Sequence, residues 1–353
     1  MKILVGMSGG VDSSVTALLL KQAGHEVIGA TMSIWDDANV SHIPEHANGC
    51  FAPDKDDIAE AAKVCQTIGI PHVVLDCREE YKNIVLSNFK SEYKAGRTPN
   101  PCVICNARIK FSVLPQAAVK SGISFDKFAT GHYAGIEYNS QTERYQITRG
   151  IDEHKDQSYF LYRLSQEQLA KIILPLGSKN KTEIRELARS AGLSVSDKPD
   201  SQDFYNGAIN DILQFSPQTG NFIGTDGKIL GTHNGYWNFT IGQRRGLGIS
   251  APHPLYVLSI NKEKNEVVLG YAEDCLQTEL TADNWNWQSP APDKTICCLA
   301  KIRSSQSPCE VEVSPLSNEA FSVKFFSPQN AITPGQSVVL YDGSYLLGGG
   351  IIK

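Results

Sequence analysis

The first 200 residues alternate between two patterns of apolar positions. Short β-branched runs, KILVGM at residues 2–7 and HEVIGATMSIW at residues 25–35, predict strands. Between the runs, SSVTALLLKQAG and DKDDIAEAAKVCQTIG carry apolar residues at helical spacing and end at a glycine. Strands separated by helices of this length predict a parallel sheet that is covered on both faces.

The pattern changes after about residue 200. Residues 201–270 are rich in glycine turns, and after Cys275 short alternating strands lie between Pro/Gly turns, which predicts a small β-barrel or sandwich. At about 100–200 residues per domain, a chain of 353 residues holds two or three domains. We expect a catalytic domain at 1–204, a small central domain at 205–274 and a C-terminal domain at 275–353.

The composition of the chain indicates its cellular compartment and its classes of binding partner. With 41% hydrophobic and 20% charged residues, the chain is typical of soluble globular proteins. No apolar run approaches the ~18 residues of a membrane span, and the start does not read as a secretory signal. Nine scattered cysteines favour the reducing cytoplasm, so we expect a cytoplasmic protein without a membrane partner. Because the net charge is -5, nucleic-acid binding would require a local basic face.

A candidate phosphate loop follows the first predicted strand. The stretch GMSGGVDSS at residues 6–14 has glycines that let the backbone approach a ligand and opens a helix whose free N–H groups favour an anion. It lacks the Gly-Lys-Ser/Thr ending of a γ-phosphate cradle. The pattern resembles the SGGxDS loop of the ATP pyrophosphatase superfamily, whose members adenylate their substrate and release pyrophosphate. On this resemblance Asp12 orders the loop or holds Mg²⁺ through the phosphates.

A C-x-x-C pair, Cys102 and Cys105, lies in RTPNPCVICNARIKF at residues 97–111. In a reducing compartment such a pair is more often catalytic or metal-binding than structural. A free thiol has a pKa of ~8.5, and neighbouring cations lower it, so the basic surroundings predict a reactive thiolate. The basic residues of this segment are Lys94, Arg97, Arg108 and Lys110.

Taken with ATGHYA, HKDQSYFLYRLSQEQL, LPLGSKNKTEIRELA and FTIGQRRGLGI, these motifs resemble the bacterial-type tRNA-specific 2-thiouridylases. The resemblance extends from residue 6 to about residue 250. It implies an α/β fold, with a parallel-sheet adenine-nucleotide α-hydrolase-like (PP-loop) domain, a small central domain and a C-terminal β-barrel. The implied reaction adenylates the C2 oxygen of the wobble uridine with ATP, then transfers sulfur to give 2-thiouridine. The alternative enzyme class is another PP-loop ATP pyrophosphatase.

The resemblance also assigns binding residues. It gives ATP contacts to Gly6, Met7, Ser8, Gly9, Gly10, Val11, Asp12, Ser13, Met32 and Gly131. It gives tRNA contacts to Asn100, Pro101, Cys102, His132, Lys155, Asp156, Gln157, Arg303, Ser304 and Gln336. The first three would border a flipped-out base, because C2 cannot be reached within a stack. The implied partners are a tRNA with a wobble uridine and a persulfide donor, either a cysteine desulfurase or a relay protein, or else sulfide.

The sequence departs from the family at the second catalytic cysteine. By resemblance the nucleophile is the cysteine before asparagine, Cys105, and its partner lies in a motif like D-S-Q-E-I-C-F. This chain instead has Tyr205, in DSQDFYNG, and a phenol cannot carry a persulfide. Three interpretations follow: Cys102 replaces the partner; Cys102, Cys105 and Cys50 bind an iron–sulfur cluster; or the chain binds ATP and tRNA without thiolating.

Overall fold

The structure is a computed structural model that describes residues 1–42, 49–200, 203–317 and 319–353. In chain order the strands are β1 Lys2–Gly6, β2 Glu26–Ser33, β3 His72–Asp76, β4 Lys127–Ala129, β5 Ala134–Asn139, β6 Arg144–Arg149, β7 Ile172–Ile173, β8 Gly220–Gly224, β9 Ile229–His233, β10 Tyr256–Asn261, β11 Glu266–Gly270, β12 Leu276–Trp287, β13 Ile296–Lys301, β14 Cys309–Pro315, β15 Phe321–Asn330, β16 Ser337–Asp342 and β17 Tyr345–Ile352.

Nine α-helices are assigned in the described part of the chain, most of them in its first 200 residues. They are α1 Val11–Gln22, α2 Lys55–Ile68, α3 Arg78–Tyr81, α4 Ser87–Lys94, α5 Pro101–Cys105, α6 Leu114–Lys120, α7 Gln166–Leu169, α8 Lys181–Ser190 and α9 Ile209–Leu213. The π-helical segments Lys82–Leu86 and Asn106–Val113 connect α3 to α4 and α5 to α6, so each pair runs as one helix. No helix in the described part of the chain is long and apolar enough to cross a membrane.

The first sheet is parallel, with strand order β3-β2-β1-β4-β7. The middle strand β1 is buried on both sides, which is why it reads as an unbroken apolar run. Ile3 and Val5 belong to the core shared with α1, α2 and α8, whereas Leu4 packs in the core on the other face. The strand order reverses between β1 and β4, and ligands of such sheets bind at the carboxyl ends beside that reversal. The predicted parallel sheet is confirmed.

Two antiparallel hairpins form the second sheet, whose order is β10-β11-β8-β9 with a parallel contact between β8 and β11. Its small core is largely aromatic. The rings of Phe222, His233 and Phe239 pack edge to face at centroid distances of 4.9–5.2 Å. A unit of this size gains much of its stability from such rings because it can bury few aliphatic side chains.

The third sheet closes into a six-stranded antiparallel barrel. The order is β12-β15-β14-β13-β16-β17, and β12 also pairs with β17. Closure removes the exposed sheet edges, and the alternating side chains of β14 and β16 fill the interior. The sequence left barrel and sandwich open, and the structure has the barrel.

The β5–β6 hairpin extends the barrel sheet from the catalytic domain. β6 meets β17 at the pair Thr148 and Tyr345, and Arg144 donates to the carbonyls of Trp287 and Gln288 at 2.7 and 2.8 Å. The stretch DKFATGHYAGIEY, at residues 126–138, therefore divides between two sheets. Its first part is β4 in the parallel sheet and its second part is β5 in the barrel sheet, because the chain turns at Gly131 and His132.

Residues 94–100, which we call the junction segment, lead into α5 and contact both other domains. The Tyr236 hydroxyl donates to the Lys94 carbonyl at 2.6 Å. The Thr98 N–H donates to the Pro334 carbonyl at 2.9 Å. The Gln336 amide donates to the carbonyls of Thr98 and Pro99 at 2.8 and 3.0 Å. The start of α5 is thus positioned by the central domain and the barrel together.

Candidate active site

The phosphate loop is fixed by its own serines at the carboxyl end of β1. The Ser8 N–H donates to the Ser13 hydroxyl oxygen at 3.2 Å, and that hydroxyl donates to the Gly10 carbonyl at 3.1 Å. Gly9 has a φ of +70°, and a Cβ there would lie 2.6 Å from the Asp57 carbonyl oxygen. A side chain at this position would clash with the backbone of α2. Glycine therefore lets the phosphate loop pack closely against the start of α2. The first N–H groups of α1 remain available for an anion.

The end of β4 packs against the same loop. A Cβ at Gly131 would lie 2.7 Å from the Asp12 carbonyl carbon and 2.8 Å from the Ser13 nitrogen. Met32, at the end of β2, is half-buried against the core. The residues predicted to contact ATP therefore lie on β1, α1, β2 and the β4 turn, all at the carboxyl edge of one sheet.

Asp12, in the phosphate loop, belongs to a network of charged side chains that the sequence did not predict. Asp12 accepts hydrogen bonds from the Tyr133 hydroxyl at 2.7 Å and from Lys181 at 2.8 Å on both carboxylate oxygens. Lys181 also contacts Asp200 at 2.7 Å, and Asp200 contacts Lys155 at 2.7 Å. Burial works to raise the pKa of Asp200, but the hydrogen bonds from Lys155 and Lys181 outweigh it, and the net pKa is lowered.

Two lysines flank the phosphate loop from the segments around α8. Asn180 and Glu183 form a capping box, so α8 starts at Lys181 and holds it at the first helical position. Lys198 donates to the Gly9 carbonyl at 3.0 Å and to Asp57 at 2.7 Å. Both lysines can bind the phosphates of a nucleotide as compact cations. The only sequence signal for Lys181 was its presence in the motif LPLGSKNKTEIRELA.

The three residues of the KDQ sequence, Lys155, Asp156 and Gln157, occupy three different environments. Lys155 belongs to the charge network just described. Asp156 is buried and accepts from the N–H groups of Gly150 and Ser158 at 3.1 Å each. The Gln157 side-chain oxygen accepts from the Tyr133 N–H at 3.0 Å. Asp156 and Gln157 thus hold the loop that follows β4, and their contact with tRNA stays a prediction.

The thiol pair lies at the start of the α5 helix. The Asn100 side chain accepts from the Val103 N–H at 3.3 Å, and Pro101 occupies the first helical position, where its missing N–H costs nothing. Cys102 and Cys105 are three residues apart and therefore lie on the same helix face. Cys105 is buried, with 8% of its surface exposed, and Cys102 is half-buried.

The predicted thiolate is wrong for the unloaded site. Burial raises the pKa of Cys105 to about 11 and that of Cys102 to about 12, and the nearby Lys110 lowers both without offsetting burial. Arg97, one of the cations counted in the sequence, is bound to Glu92 at 2.6 Å. The thiols are therefore protonated at neutral pH, because the effect of Lys110 on their pKa values is smaller than that of desolvation.

Cys50 forms a third thiol of the same site. Its N–H donates to the Asp203 carbonyl at 2.9 Å, and the next N–H, of Phe51, donates to the Phe204 carbonyl at 2.8 Å. The segment around Cys50 therefore runs beside the segment that carries Tyr205. Burial lowers the pKa of Lys110, but its interactions with Cys105, Cys50 and Cys102 outweigh burial and raise it. All three thiols thus interact electrostatically with Lys110. We call Cys50, Cys102, Cys105 and Lys110 the thiol site.

Tyr205 does not approach the thiols with its hydroxyl. The hydroxyl donates to the His42 carbonyl at 2.9 Å and lies 3.0 Å from the Asp211 carboxylate. Its ring packs beside Phe51 in an aromatic cluster. The described residues contain no group of three or more His, Cys, Asp or Glu side chains arranged to hold a metal ion. Cys50, Cys102 and Cys105 do not form a ready ligand set for an iron–sulfur cluster.

His132 connects the thiol site with the phosphate loop. Its ring lies 5.6 Å from the Phe111 ring, and its Nδ1 lies 2.7 Å from the Thr130 hydroxyl. Burial and the charge of Lys110 lower its pKa to about 3, so the imidazole is neutral at physiological pH. Because His132 follows Gly131 directly, the thiol site and the loop around Asp12 adjoin across the end of β4.

The barrel residues assigned to tRNA lie elsewhere. Arg303 donates to the Thr333 hydroxyl at 2.7 Å and to the Ala331 carbonyl at 3.3 Å, and Ser304 beside it is half-buried. Gln336 is buried against the junction segment. No described contact joins these residues to the phosphate loop, and their tRNA contacts remain predictions.

A phosphate loop beside the strand-order reversal of a parallel sheet, next to a thiol site, defines a PP-loop enzyme that couples ATP to sulfur chemistry. The family profile "tRNA methyl transferase HUP domain" matches residues 1–205, "tRNA methyl transferase PRC-barrel domain" matches 207–271 and "Aminomethyltransferase beta-barrel domain" matches 277–352. The tRNA-specific 2-thiouridylase MnmA of Endomicrobium trichonymphae is 48% identical over 355 residues, covering 100% of this chain and 99% of that protein. The protein of the same name from Geobacter metallireducens is 43% identical, covering 99% and 96%. The chain belongs to the tRNA-specific 2-thiouridylase family.

Proposed function

We propose that this chain is a tRNA-uridine 2-sulfurtransferase that uses ATP to adenylate the C2 oxygen of the wobble uridine and Cys105 to deliver sulfur. One observation carries the proposal: the thiol site and the phosphate loop adjoin across Gly131 and His132. Adenylation and sulfur attack act on the same carbon, so both groups must reach one base. Membership of the 2-thiouridylase family supports the same reaction.

The chemistry explains why the two sites must cooperate. Oxygen at C2 of uridine is a very poor leaving group, and adenylation converts it into AMP. The terminal sulfur of a Cys105 persulfide then attacks C2, and AMP leaves with the electron pair of the C–O bond. Cys102 next attacks the Cys105 sulfur, which breaks the S–S bond, releases 2-thiouridine and leaves a disulfide. An external dithiol reduces this disulfide for the next turnover.

The geometry of the helix sets a condition on this last step. Residues three apart in an α-helix have Cβ atoms about 5–6 Å apart. A disulfide needs about 3.8 Å. The pair of Cys102 and Cys105 can therefore close only if the first turn of α5 opens. The neighbouring π-helical segment from Asn106 supports such a local change, because its hydrogen bonding already departs from that of an α-helix.

The nucleotide side of the proposal uses the lysines of the loop. Lys181 and Lys198 would bind phosphate oxygens beside the N-terminus of α1, and Asp12 would keep Lys181 in place. Asp12 would help to hold Mg²⁺ through the phosphates, and the ion would supply positive charge to the pyrophosphate. The contacts assigned to Met32 and Gly131 belong to the same part of the proposal.

The remaining assignments are proposals on the same footing. The target base would lie beside Asn100, Pro101, Cys102 and His132, and Lys155 and Arg303 would supply cations for the tRNA backbone. Sulfur would come from a persulfide donor protein through Cys105, or from sulfide that attacks the adenylated C2 itself. We also propose a cytoplasmic location, which the nine free cysteines support. Domain limits at residues 204 and 274 complete the proposal.

A pair of variants tests the assignment of the two half-reactions. We expect Asp12→Ala to lower AMP formation by about a hundredfold or more, because it releases Lys181 from the phosphate loop. We expect Cys105→Ala to form AMP and no 2-thiouridine. The measurements are AMP release from labelled ATP and 2-thiouridine by mass spectrometry, both with unmodified tRNA.

The matched control is Asp226→Ala, which removes an exposed carboxylate paired with Lys228 in a turn of the central domain. It should leave both products at the level of the unmodified protein. AMP formation by Asp12→Ala at the control rate, or 2-thiouridine from Cys105→Ala, would contradict the proposal.

A further inference from the structure

In the proposed function Cys105 delivers sulfur to the tRNA. Its buried position restricts how a donor can supply that sulfur. A persulfide donor must bring its outer sulfur into line with the attacking thiol. Cys105 has only 8% of its surface exposed, and Cys102 above it is half-buried. Burial also raises the pKa of both thiols, to about 11 and about 12, so few of them are ionised at neutral pH. A bulky donor cannot reach Cys105 directly.

Cys50 is the exposed member of the thiol site. Its segment is fixed by two backbone hydrogen bonds to Asp203 and Phe204, at 2.9 and 2.8 Å. The next residue, Phe51, is fully buried and stacks on Tyr81 and Phe204 at 5.4 and 5.9 Å between ring centroids. Cys50 is thus an exposed residue on an anchored stretch of backbone, beside the segment that carries Tyr205.

The other cysteines are poorly suited to receive sulfur. Cys65, Cys77 and Cys275 are buried. Cys297 is exposed but lies on β13 of the barrel, and the groups that shift the pKa values of Cys102, Cys105 and Lys110 do not include it. Cys50, in contrast, is among the groups that shift each of these three pKa values. It alone combines exposure with an electrostatic interaction with the buried pair.

We propose that Cys50 is the receiving thiol of this enzyme, which accepts the outer sulfur of a persulfide and passes it to Cys105. In the first step the Cys50 thiolate attacks the outer sulfur, the donor S–S bond breaks and the donor leaves as a thiolate that takes up a proton. In the second step the Cys105 thiolate attacks the outer sulfur of the Cys50 persulfide and releases the Cys50 thiolate. Neither step is a net oxidation, so no co-reactant is needed.

Lys110 gives this transfer a physical basis. Each step moves one negative charge from one sulfur of the thiol site to another. The single ammonium of Lys110 interacts with all three sulfurs. It can therefore remain paired with the charge throughout the transfer, which avoids leaving a buried thiolate without a counter-ion.

The experiment follows sulfur onto the enzyme and into the tRNA. Glutathione persulfide carrying labelled outer sulfur is the probe, and iron-free protein is used. Alkylation and mass spectrometry then locate the label. We expect label first on Cys50 and then on Cys105, and in Cys105→Ala the label should stay on Cys50. In Cys50→Ser, labelling of Cys105 should slow about tenfold or more.

Further readouts separate this proposal from the proposed function and from a cluster. Cys50→Ser should form AMP at the normal rate. It should still make 2-thiouridine from hydrosulfide, because hydrosulfide attacks the adenylated C2 itself and displaces AMP without forming a persulfide. Cys297→Ser is the matched control, an exposed cysteine on the barrel, and should label as the unmodified protein does. Normal labelling of Cys105 in Cys50→Ser would overturn the proposal. Loss of hydrosulfide-driven activity, or activity that follows iron content, would overturn it in favour of a cluster.

Discussion

At the scale of single residues, the reactivity of the thiol site depends on Lys110. The lysine lies five positions after Cys105 on the same helix, and it is the cation that lowers the pKa of both Cys102 and Cys105. Burial has the larger effect, so both thiols titrate above neutrality. The neutral thiol is a poor nucleophile. The site therefore gains reactivity when Cys105 carries a persulfide, which ionises more readily than a thiol.

We predict that Lys110→Met slows alkylation of Cys105 at every pH below about 11. Removing the ammonium takes away the one interaction that lowers the thiol pKa, so the thiolate fraction falls. In the unmodified protein the rate should rise about tenfold per pH unit below the pKa, because the thiolate is the reacting form. The measurement is the rate of iodoacetamide modification of Cys105, read by mass spectrometry between pH 7 and 10.

The control for this prediction is Arg108→Met. Arg108 is exposed on the same helix and does not contribute to the pKa of either thiol. It should leave the alkylation profile unchanged. Equal profiles for Lys110→Met and Arg108→Met would mean that the lysine charge does not act on Cys105.

The residues that the sequence missed lie far apart along the chain. Gly9, Gly10 and Cys105 were singled out because they lie in short motifs whose local physics can be recognised in the sequence. Lys181 was not assigned because its partner, Asp12, is 169 positions away, and no local pattern encodes that pairing. The expected thiolate was wrong for a related reason. Counting nearby basic residues could not show that Arg97 binds Glu92 or that burial dominates.

At the scale of elements, the turn between β4 and β5 joins the two halves of the site. The pattern of apolar residues is strand-like on both sides of this turn. It could not show that the two strands belong to different sheets, because strand pairing is a long-range property. The tight contact of Gly131 with the first turn of α1 requires a residue without a side chain.

We predict that Gly131→Ala weakens ATP binding by about tenfold or more while the protein stays folded. The added Cβ would lie 2.7 Å from the Asp12 backbone carbon, so α1 or the β4 turn must move. A shift of the helix start moves the N–H groups that would face the phosphates. Isothermal titration with a non-hydrolysable ATP analogue measures the change.

Gly122→Ala is the matched control for this variant. Gly122 has a φ of +81° in the turn before β4, with open space around it. Alanine should cost about 1 kcal/mol of stability through backbone strain and leave ATP affinity unchanged. If Gly131→Ala binds the analogue as tightly as Gly122→Ala does, the close packing at the end of β4 has no role in nucleotide binding.

At the scale of the whole molecule, three domains meet at the junction segment. Composition and strand pattern predicted a barrel, but the docking of its Pro334–Gln336 turn on residues 98–99 could not be predicted. Gln336 was expected to contact tRNA. That tRNA contact stays a prediction. In the structure the Gln336 amide nitrogen donates to two backbone carbonyls in front of α5, and the side chain is buried. A barrel residue thus helps to fix the position of α5, the helix that carries Cys102 and Cys105.

We predict that Gln336→Leu impairs sulfur transfer more than adenylation. It leaves the buried carbonyls of Thr98 and Pro99 without donors, at a cost of about 1–3 kcal/mol for each. The start of α5 should then be less well ordered, whereas the phosphate loop keeps its own contacts. The measurements are the thermal unfolding midpoint, AMP formation and the rate of 2-thiouridine formation.

A second buried glutamine of the barrel provides the control. Gln329 hydrogen-bonds to Ser327 and Gln306, both within the barrel. Gln329→Leu should lower the midpoint to a similar extent and leave sulfur transfer intact. If both variants lose sulfur transfer equally, general destabilisation and not the junction contact is responsible.

The contact between Gln336 and the junction segment also has a consequence for how the protein is made on the ribosome. The two partners are 238 positions apart. At about 5–20 residues per second, the ribosome takes about 10–50 s to reach Gln336 after it has passed Thr98. During this interval the barrel cannot yet hold α5 in place, and the cysteines of α5 are open to adventitious oxidation. A nascent chain of this enzyme therefore depends on a reducing environment before it has any substrate to modify.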